Sequence, residues 1–203
     1  MKEKRILLLF AHPAYHKSRV NRYLLEAARQ VEGVHIHDLY EEYPDFHIDI
    51  PREQSLLLEH DIVVFQHPFY WYSCPALLKE WLDLVLQYGF AFGDEATALH
   101  GKWLLTATTT GGRAHVYQRG GMNHYTMREF LVPFERTASL CGMHYLPPFI
   151  VHGTRAIDGD EALVAQAHNY GEILTRLRDD AIGPDALDST YINDLLEGTD
   201  SDA

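Results

Sequence analysis

The sequence predicts an α/β fold in which a parallel β-sheet carries helices on both faces, an arrangement called a doubly wound sheet. Five runs of strand length recur along the chain, and amphipathic periods of helical length lie between most of them. The runs in the middle of the chain hardly alternate between apolar and polar residues, as is typical of strands buried on both faces. Strands that alternate with helices along one chain favour this architecture.

The predicted strands are the five runs at residues 6–10, 34–39, 62–65, 103–109 and 145–151. The second run alternates apolar residues with His35 and His37, which suits a peripheral strand. Helices are predicted where apolar residues recur at helical spacing, at residues 20–31, 52–59, 77–86, 130–141 and 163–177.

The composition indicates one domain with an acidic C-terminal segment. A chain of 203 residues with 46% hydrophobic residues is long enough for one sizeable core. Residues 179–203 contain eight acidic residues and neither Lys nor Arg. We therefore predict a domain over residues 1–178 and a mobile acidic tail over residues 179–203. Four apolar residues of that segment, at 191, 192, 195 and 196, leave a docking helix as the alternative.

Charge and cysteine usage narrow the class of partner. The chain has 17 Lys and Arg against 29 Asp and Glu, a net charge of −12, which argues against nucleic acid and anionic membranes as ligands. Cys74 and Cys141 lack a paired spacing, and the apolar run near the N-terminus is too short for a signal peptide, so we expect a cytoplasmic protein. The 13 His residues include no HExxH motif, so we expect no metal site.

The first candidate binding loop follows the first strand. In a five-stranded sheet of order 2-1-3-4-5, ligands bind beyond the carboxyl ends of the strands, near the loops after strands one, three and four. The first of these loops passes into a helix, where Ser18 can cap the helix and its free N–H groups, with Lys17 and Arg19 nearby, predict an anion site. Ordinary helix capping is the alternative for Ser18.

The other two loops supply aromatic rings and backbone donors. Phe69, Tyr70, Trp71 and Tyr72 are consecutive and follow a buried strand, so they predict either a wall for a flat ligand or a cluster closing a core or dimer interface. Residues 109–112 read Thr-Thr-Gly-Gly, and the glycines permit backbone N–H groups to approach a ligand edge. A phosphate site, an aromatic wall and amide donors together predict a flavin. The chain has no GxGxxG motif, so a Rossmann dinucleotide site is not supported.

Several segments resemble the flavodoxin-like NAD(P)H:quinone oxidoreductases and, within them, the ancillary proteins of Kef-type glutathione-gated potassium-efflux systems. The resemblance covers residues 5–178 and implies a flavodoxin-like fold with a five-stranded parallel sheet of order 2-1-3-4-5. The matching segments are Ala11-His12-Pro13, Tyr43-Pro44-Asp45-Phe46, Gln66-His67-Pro68, Trp71-Tyr72-Ser73, Leu77-Leu78-Lys79, Thr109-Thr110-Gly111-Gly112 and Cys141-Gly142.

The resemblance also implies roles for individual residues. The flavin, FMN in preference to FAD, would have its phosphate on His12 and on the residues Ser18, Arg19, Val20 and Asn21. Its ring would lie along Pro68, Phe69, Tyr70, Trp71 and Tyr72, and its edge would bind Thr109, Thr110, Gly111, Gly112 and Tyr117. The catalytic residues would be Gly111, Gly112, Tyr117 and His124, the last reaching the family's His position only with a shift of one residue.

The function implied is an FMN-dependent NAD(P)H:quinone oxidoreductase that reduces quinones or related electrophiles by two electrons in a ping-pong cycle, with NAD(P)H as the donor. The resemblance also implies a homodimer and an ancillary role at a membrane potassium/proton antiporter, at the inner face of the cell membrane. The alternative is a regulatory subunit of that antiporter with little or no enzymatic activity.

Overall fold

The computed structural model of the protein describes residues 3–157, 159–182 and 184–197. Its strands are β1 (Ile6–Phe10), β2 (Val34–Asp38), β3 (Ile62–Pro68), β4 (Trp103–Thr109), β5 (His144–Tyr145) and β6 (Phe149–Val151). Its helices are α1 (Arg19–Arg29), α2 (Leu39–Glu42), α3 (Ile50–Glu59), α4 (Ala76–Val85), α5 (Met127–Phe130), α6 (Val132–Leu140), α7 (Asp160–Arg178) and α8 (Asp194–Glu197). Short 3₁₀ turns cover Tyr15–Lys17, Ala114–Val116 and Pro184–Asp188.

The sheet is parallel and has the order β2-β1-β3-β4-β5, so the predicted order is confirmed. One strand differs from the prediction, because residues 145–151 do not form a single fifth strand. Instead β5 pairs with the start of β4 and β6 pairs with its end. Pro147 and Pro148 lie between the two and have no backbone N–H to donate, so the ladder is interrupted there.

The helices cover both faces of the sheet, as predicted. Alternate residues of β1 belong to opposite cores, with Ile6 and Leu8 in one and Leu7 and Leu9 in the other. This follows from the two-residue period of side chains along a strand. Residues of α1 and α7 complete the first core, and residues of α3, α4 and α6 complete the second.

The helix predicted at residues 130–141 corresponds to α6, whereas Phe130 ends the separate short helix α5. Leu131 separates them, with φ −91° and ψ 2°. Pro133 stands in the first turn of α6, a position that needs no backbone N–H but prevents the preceding helix from continuing through it. Helix α2 is too short to give a helical period in the sequence, and it was not predicted.

The C-terminal segment differs from the predicted mobile tail over the residues that the structure describes. Ile192 is fully buried and Leu196 packs in the same core as α1 and α7. The Asn193 side chain accepts from the Ile150 N–H at 3.0 Å and donates to the Ile150 carbonyl at 3.1 Å, as a neighbouring strand would. Burial outweighs the acidic composition at these positions, so Ile192 and Leu196 pack on the domain. Residues 183 and 198–203 of the predicted tail lie outside the described residues.

None of the helices within the described ranges has the length and apolar character that crossing a membrane requires.

Candidate functional site

Two adjoining clefts open at the carboxyl edge of the sheet. The first, of about 460 Å³, is here called the cationic cleft. It is lined by His12, Ala14, Lys17, Ser18, Arg19, Val20, Asn21, Pro68, Phe69, Tyr70, Thr109, Gly111, Thr154 and Arg155. The second, of about 370 Å³, is here called the aromatic cleft. It is lined by Phe69, Trp71, Tyr72, Gly111, Gly112, Val116, Tyr117, Met122, Asn123 and Arg155.

The two clefts share Phe69, Gly111 and Arg155, so they form one continuous site. The site contains nearly every residue that the sequence predicted to bind a cofactor. Two of the predicted residues, Thr110 and His124, line neither cleft.

The first loop reaches the cationic cleft through the start of α1. The Ser18 hydroxyl caps this helix by accepting the Asn21 N–H at 3.3 Å. The Asn21 side chain donates to Ser18 Oγ and to Thr109 Oγ1, both at 3.1 Å, and it is buried. Asn21 therefore ties the loop after β1 to the end of β4. Within the described residues, the N–H groups of Arg19 and Val20 have no protein acceptor, as expected for a first helical turn.

His12 supplies a neutral donor beside these N–H groups. The Ala14 N–H donates to His12 Nδ1 at 3.1 Å, so in the neutral ring the proton is on Nε2. Burial lowers the pKa of His12, and the neighbouring His16 lowers it further, while a backbone hydrogen bond acts in the opposite direction. The ring is therefore neutral at pH 7 and can donate from Nε2.

Arg19 and Lys17 differ in whether a carboxylate lies beside their positive charge. The Arg19 guanidinium lies 3.4 Å from the Asp160 carboxylate and also contacts the carbonyls of Ile157 and Gly159. Its charge is thus shared with the start of α7. In the part of the chain that the structure describes, the Lys17 ammonium has no carboxylate partner. Lys17 is therefore the better placed of the two to bind an anion in the cationic cleft.

The aromatic loop contains a strained turn. Tyr70 and Ser73 exchange backbone hydrogen bonds of 3.1 and 2.9 Å, which leaves Trp71 and Tyr72 at the two central positions with φ of 50° and 62°. Two left-handed residues at these positions make a type I′ turn, which favours Asn and Gly because bulky side chains are strained there. The Trp71 side chain is 93% exposed, so core packing does not account for this strain.

The neighbouring aromatic residues are supported by the core. Phe130 packs its ring 5.5 Å from Phe69 and 5.3 Å from Tyr72, measured between ring centroids. Phe69 and Tyr72 therefore combine both alternatives that the sequence left open, because they join an aromatic cluster and also line a cleft. Trp71 belongs only to the cleft.

The Thr-Thr-Gly-Gly turn presents free donors. Among the described residues, no acceptor is found for the N–H groups of Gly111 and Gly112, and both residues line the aromatic cleft. Thr110 points its hydroxyl inward, donating to the Gly112 carbonyl at 2.7 Å, and so it holds the turn rather than lining the cleft. A Cβ at Gly112 would lie 2.9 Å from Val116 Cγ2 and 3.0 Å from the Tyr117 ring, so the close packing requires glycine.

Tyr117 lies beside this turn, whereas His124 does not. The Tyr117 ring packs 6.0 Å from Phe69 and 5.6 Å from His152, and it lines the aromatic cleft. His124 is exposed, with φ 61°, and the preceding residue, Asn123, lines the cleft instead. The Tyr72 hydroxyl donates to Asn123 Oδ1 at 3.4 Å. An uncharged amide therefore stands where the sequence predicted an imidazole.

Sequence reasoning missed the loop after β6. It considered only the loops after strands one, three and four, yet the last strand ends at the same edge of the sheet and brings Thr154 and Arg155 into the site. The run Gly153-Thr154-Arg155 directly after an apolar strand was the available signal.

His152, which precedes this loop, lies behind Tyr117. Because the Thr110 hydroxyl donates to the Gly112 carbonyl, its oxygen can accept a hydrogen bond from the Nδ1–H of His152, 3.3 Å away. Burial lowers the pKa of His152 and keeps the ring neutral at pH 7. His152 thus supports both Tyr117 and the glycine turn.

Among the described residues, no three His, Cys, Asp or Glu side chains are grouped so that they could hold a metal ion.

Comparisons with known proteins agree with this architecture. The model of the Flavodoxin_2 family, described as a flavodoxin-like fold, matches residues 4–174. The glutathione-regulated potassium-efflux system ancillary protein KefG of Pectobacterium atrosepticum is 53% identical over 171 residues, which are 84% of this chain and 93% of that protein.

Solved structures give the same result. General stress protein 14 of Treponema denticola, crystallised in complex with FMN, superposes with a TM-score of 0.81 at 38% identity, over 85% of this chain and 99% of that one. An NADPH-quinone reductase from P. pentosaceus superposes with a TM-score of 0.73 at 33% identity, over 82% of this chain and 97% of that one. The chain therefore belongs to the Flavodoxin_2 family of flavodoxin-like proteins.

Proposed function

We propose that the protein is an FMN-dependent NAD(P)H:quinone oxidoreductase that acts on quinones or related electrophiles. The observation that carries the proposal is the aromatic cleft, which Gly111 and Gly112, whose N–H groups have no acceptor among the described residues, line together with the exposed Trp71. An FMN-containing relative and a quinone reductase among the similar structures support this assignment.

The cationic cleft fits the phosphate of FMN. It offers the free N–H groups of Arg19 and Val20, the Ser18 hydroxyl, the Nε2–H of His12 and the Lys17 ammonium. Donors at a helix N-terminus together with a cation are a suitable site for a phosphate. The short loop between β1 and α1 leaves FMN a better fit than FAD.

The aromatic cleft fits the ring. Phe69, Trp71 and Tyr72 supply apolar surface, and Gly111 and Gly112 supply N–H donors that have no acceptor in the described ranges. When bound, FMN would accept a hydride from NAD(P)H and pass it to a quinone, each substrate using the same cleft in turn.

The residues around the turn would stabilise the charge that this chemistry creates. The fixed N–H groups of Gly111 and Gly112, and the Tyr117 hydroxyl, would donate to the ring edge as negative charge develops there. His152 and Thr110 would hold these donors in position through the hydrogen bonds already described. Asn123, not His124, is the neighbouring polar side chain within the cleft.

A second role follows from the relatives. The 53% identity to an ancillary protein of a potassium-efflux system favours an ancillary or mainly regulatory function at a membrane potassium/proton antiporter, with the protein at the inner face of the membrane. Homodimer formation belongs to the same proposal, and the exposed rings of Tyr88 and Tyr125 are available for it. The two roles are compatible, because a flavin site can serve catalysis and regulation.

Purification of the protein tests the proposal directly. We expect a yellow protein whose visible flavin absorbance is bleached by NADH or NADPH and restored by a quinone, and whose released cofactor has the mass of FMN. A protein that binds flavin but is not bleached would leave the regulatory role. A colourless protein that takes up no added FMN would contradict the flavoenzyme proposal.

A further inference from the structure

Arg155 is a cation at the junction of the two clefts and has no partner among the described residues. It lines both clefts, and its Nε lies 3.2 Å from the position that a Cβ on Gly111 would occupy. The side chain is exposed and, within the described residues, makes neither an ion pair nor a hydrogen bond. Its charge is therefore available to a molecule that enters the site.

Several basic side chains on the surface are paired with a carboxylate, whereas Lys17, Arg113 and Arg155 make no ion pair within the described residues. Arg52 pairs with Glu42, Lys79 with Asp83, and Arg176 with Glu172. Arg155 differs from Arg113 in lining the clefts, where the N–H groups of Gly111 and Gly112 have no acceptor among the described residues. A guanidinium and two such N–H groups make a local positive region in a chain of net charge −12.

The location of Arg155 separates it from the groups that fit the FMN phosphate. Lys17, Ser18 and the first turn of α1 line the cationic cleft only, whereas Arg155 also lines the aromatic cleft beside Tyr117 and Asn123. A guanidinium presents its N–H groups in a planar fork that matches a carboxylate, sulfonate or phosphate. An anionic group attached to a flat molecule in the aromatic cleft would therefore meet Arg155.

We propose that the substrate entering the aromatic cleft carries an anionic group and that Arg155 binds it. This inference rests on the proposed function and deepens it by naming a substrate class. The anionic group belongs either to the electron acceptor, as a carboxylate or sulfonate, or to the electron donor, as the phosphates of NAD(P)H. Both sources present the same chemistry to the guanidinium.

The test uses two flat, redox-inactive ligands that differ in charge, naphthalene-2-sulfonate and naphthalene-2-sulfonamide. Their dissociation constants are measured on the FMN-loaded protein by quenching of tryptophan fluorescence, since Trp71 lines the aromatic cleft. We expect Arg155→Gln to weaken sulfonate binding about fivefold and leave sulfonamide binding within about twofold, as for a partly exposed charge-assisted contact. Arg155→Lys should retain part of the preference, and 0.5 M salt should reduce it in the wild type.

The matched control is Arg113→Gln, which removes the same charge near the same turn. Arg113 is exposed and its Cγ lies 3.4 Å from the position that a Cβ on Gly153 would occupy, but it lines neither cleft. We expect it to leave the dissociation constants of both ligands unchanged. An equal effect of the two arginine variants would mean that the sulfonate responds to the electrostatic field of the whole surface and not to a contact with Arg155. That result would overturn the proposal.

Rates of the two half-reactions then identify the source of the anion. The donor arm compares NADH with the neutral donor 1-benzyl-1,4-dihydronicotinamide, and the acceptor arm compares 1,4-naphthoquinone-2-sulfonate with 1,4-naphthoquinone. A loss in Arg155→Gln confined to NADH assigns the phosphates of the donor, and a loss confined to the sulfonated quinone assigns the acceptor. Equal losses for charged and neutral partners, or weaker FMN binding alone, would overturn the proposal.

Failure of the proposed function can be distinguished from failure of the anion site at Arg155. If the purified chain takes up no FMN, the flavoenzyme proposal fails, and the sulfonate and sulfonamide titrations are made on the flavin-free chain. A sulfonate preference that depends on Arg155 would still support the anion site, and its absence would overturn that site as well.

Discussion

Two regions of this protein, the buried residues around Glu53 and the residues of the aromatic cleft, differ in whether their polar groups have hydrogen-bond partners. On one side of the sheet, the Glu53 carboxylate is 0% exposed and accepts hydrogen bonds from His37 Nε2 at 2.8 Å, Tyr43 Oη at 2.5 Å and Trp81 Nε1 at 2.7 Å. At the carboxyl edge, by contrast, the N–H groups of Gly111 and Gly112 find no acceptor among the described residues, and Trp71 is exposed.

This difference distinguishes residues that stabilise the fold from residues that can bind a ligand. The Glu53 network joins β2, the segment before α3, α3 itself and α4, and every polar atom named in it has a partner. Burial would raise the pKa of Glu53, but the hydrogen bonds from His37, Tyr43 and Trp81 outweigh it and hold the pKa below its usual value. The network is therefore complete without a ligand. The clefts contain N–H donors without an acceptor among the described residues and aromatic rings that are exposed, and a ligand can contact both.

The largest expected effect is on the completed network. Glu53→Ala would leave three buried donors without an acceptor and should lower the free energy of unfolding by about 3–5 kcal/mol, measured by urea denaturation. Glu59→Ala, at the exposed end of the same helix, is the control and should change it by less than about 0.5 kcal/mol. A small effect of Glu53→Ala would mean that the network is replaceable by water.

The pH dependence of stability gives a second measurement of this network. Because the pKa of Glu53 is lower in the folded than in the unfolded chain, its contribution to stability is present above the unfolded value near 4.5 and is lost as the pH falls through the folded value. Between pH 5 and 3, the milder variant Glu53→Gln should therefore lose less stability than the wild type. Parallel curves would contradict an ionised Glu53.

The next largest expected effect concerns the aromatic cleft. Gly112→Ala places a methyl group 2.9 Å from Val116 Cγ2 and 3.0 Å from the Tyr117 ring, so the turn or Tyr117 must move. We expect FMN to bind about tenfold more weakly, which corresponds to about 1.4 kcal/mol, with the dissociation constant measured by flavin fluorescence. Gly171→Ala is the control, since a methyl group in α7 meets Ala27 Cβ at 3.7 Å, an ordinary contact. Equal affinities of wild type and Gly112→Ala would remove this turn from the flavin site.

Removal of one hydroxyl should have a more selective effect. Tyr117→Phe keeps the ring that packs on Phe69 and His152 but removes the donor beside Gly112. We expect quinone turnover to fall about tenfold while FMN affinity changes by less than about twofold, because the donor acts on charge that develops during the reaction. Unchanged turnover would exclude Tyr117 from the mechanism, and a parallel loss of affinity would assign it to binding.

The strands of the sheet could be predicted from the sequence, because strands buried on both faces are apolar runs. The possible strand orders are limited, because parallel strands must be joined by crossover connections. The strands and the covering helices follow from local patterns, whereas the strand order was implied by the resemblance to flavodoxin-like proteins. The interruption between β5 and β6 was visible as Pro147-Pro148. The docking of residues 184–197 was less accessible, because it depends on Asn193 meeting Ile150 across 43 positions of sequence.

The residues predicted to bind a cofactor line the clefts most consistently where the loops are short. The start of α1 and the Thr-Thr-Gly-Gly turn have little freedom once their strands are fixed, and their predicted residues, except Thr110, line the clefts. The segment between Tyr117 and α5 is longer and irregular, so its register could not be predicted, and Asn123 stands in the cleft instead of His124. Arg155 was missed because only the loops after strands one, three and four were considered, although the run Gly153-Thr154-Arg155 directly follows an apolar strand.

The smallest expected change in stability, and the sharpest contrast with Glu53, concerns the strained turn. Asn adopts the left-handed conformation of Trp71 more readily than Trp does, so Trp71→Asn should raise the free energy of unfolding by about 0.5–1 kcal/mol. The same change removes an exposed ring from the aromatic cleft, so FMN affinity should fall severalfold. Trp71→Phe retains both the strain and an aromatic face, and it should preserve affinity without the gain in stability. A variant that gains stability while losing affinity would mean that the backbone strain at Trp71 serves the ligand, whereas a loss of both would place Trp71 with Glu53 among the residues that hold the fold together.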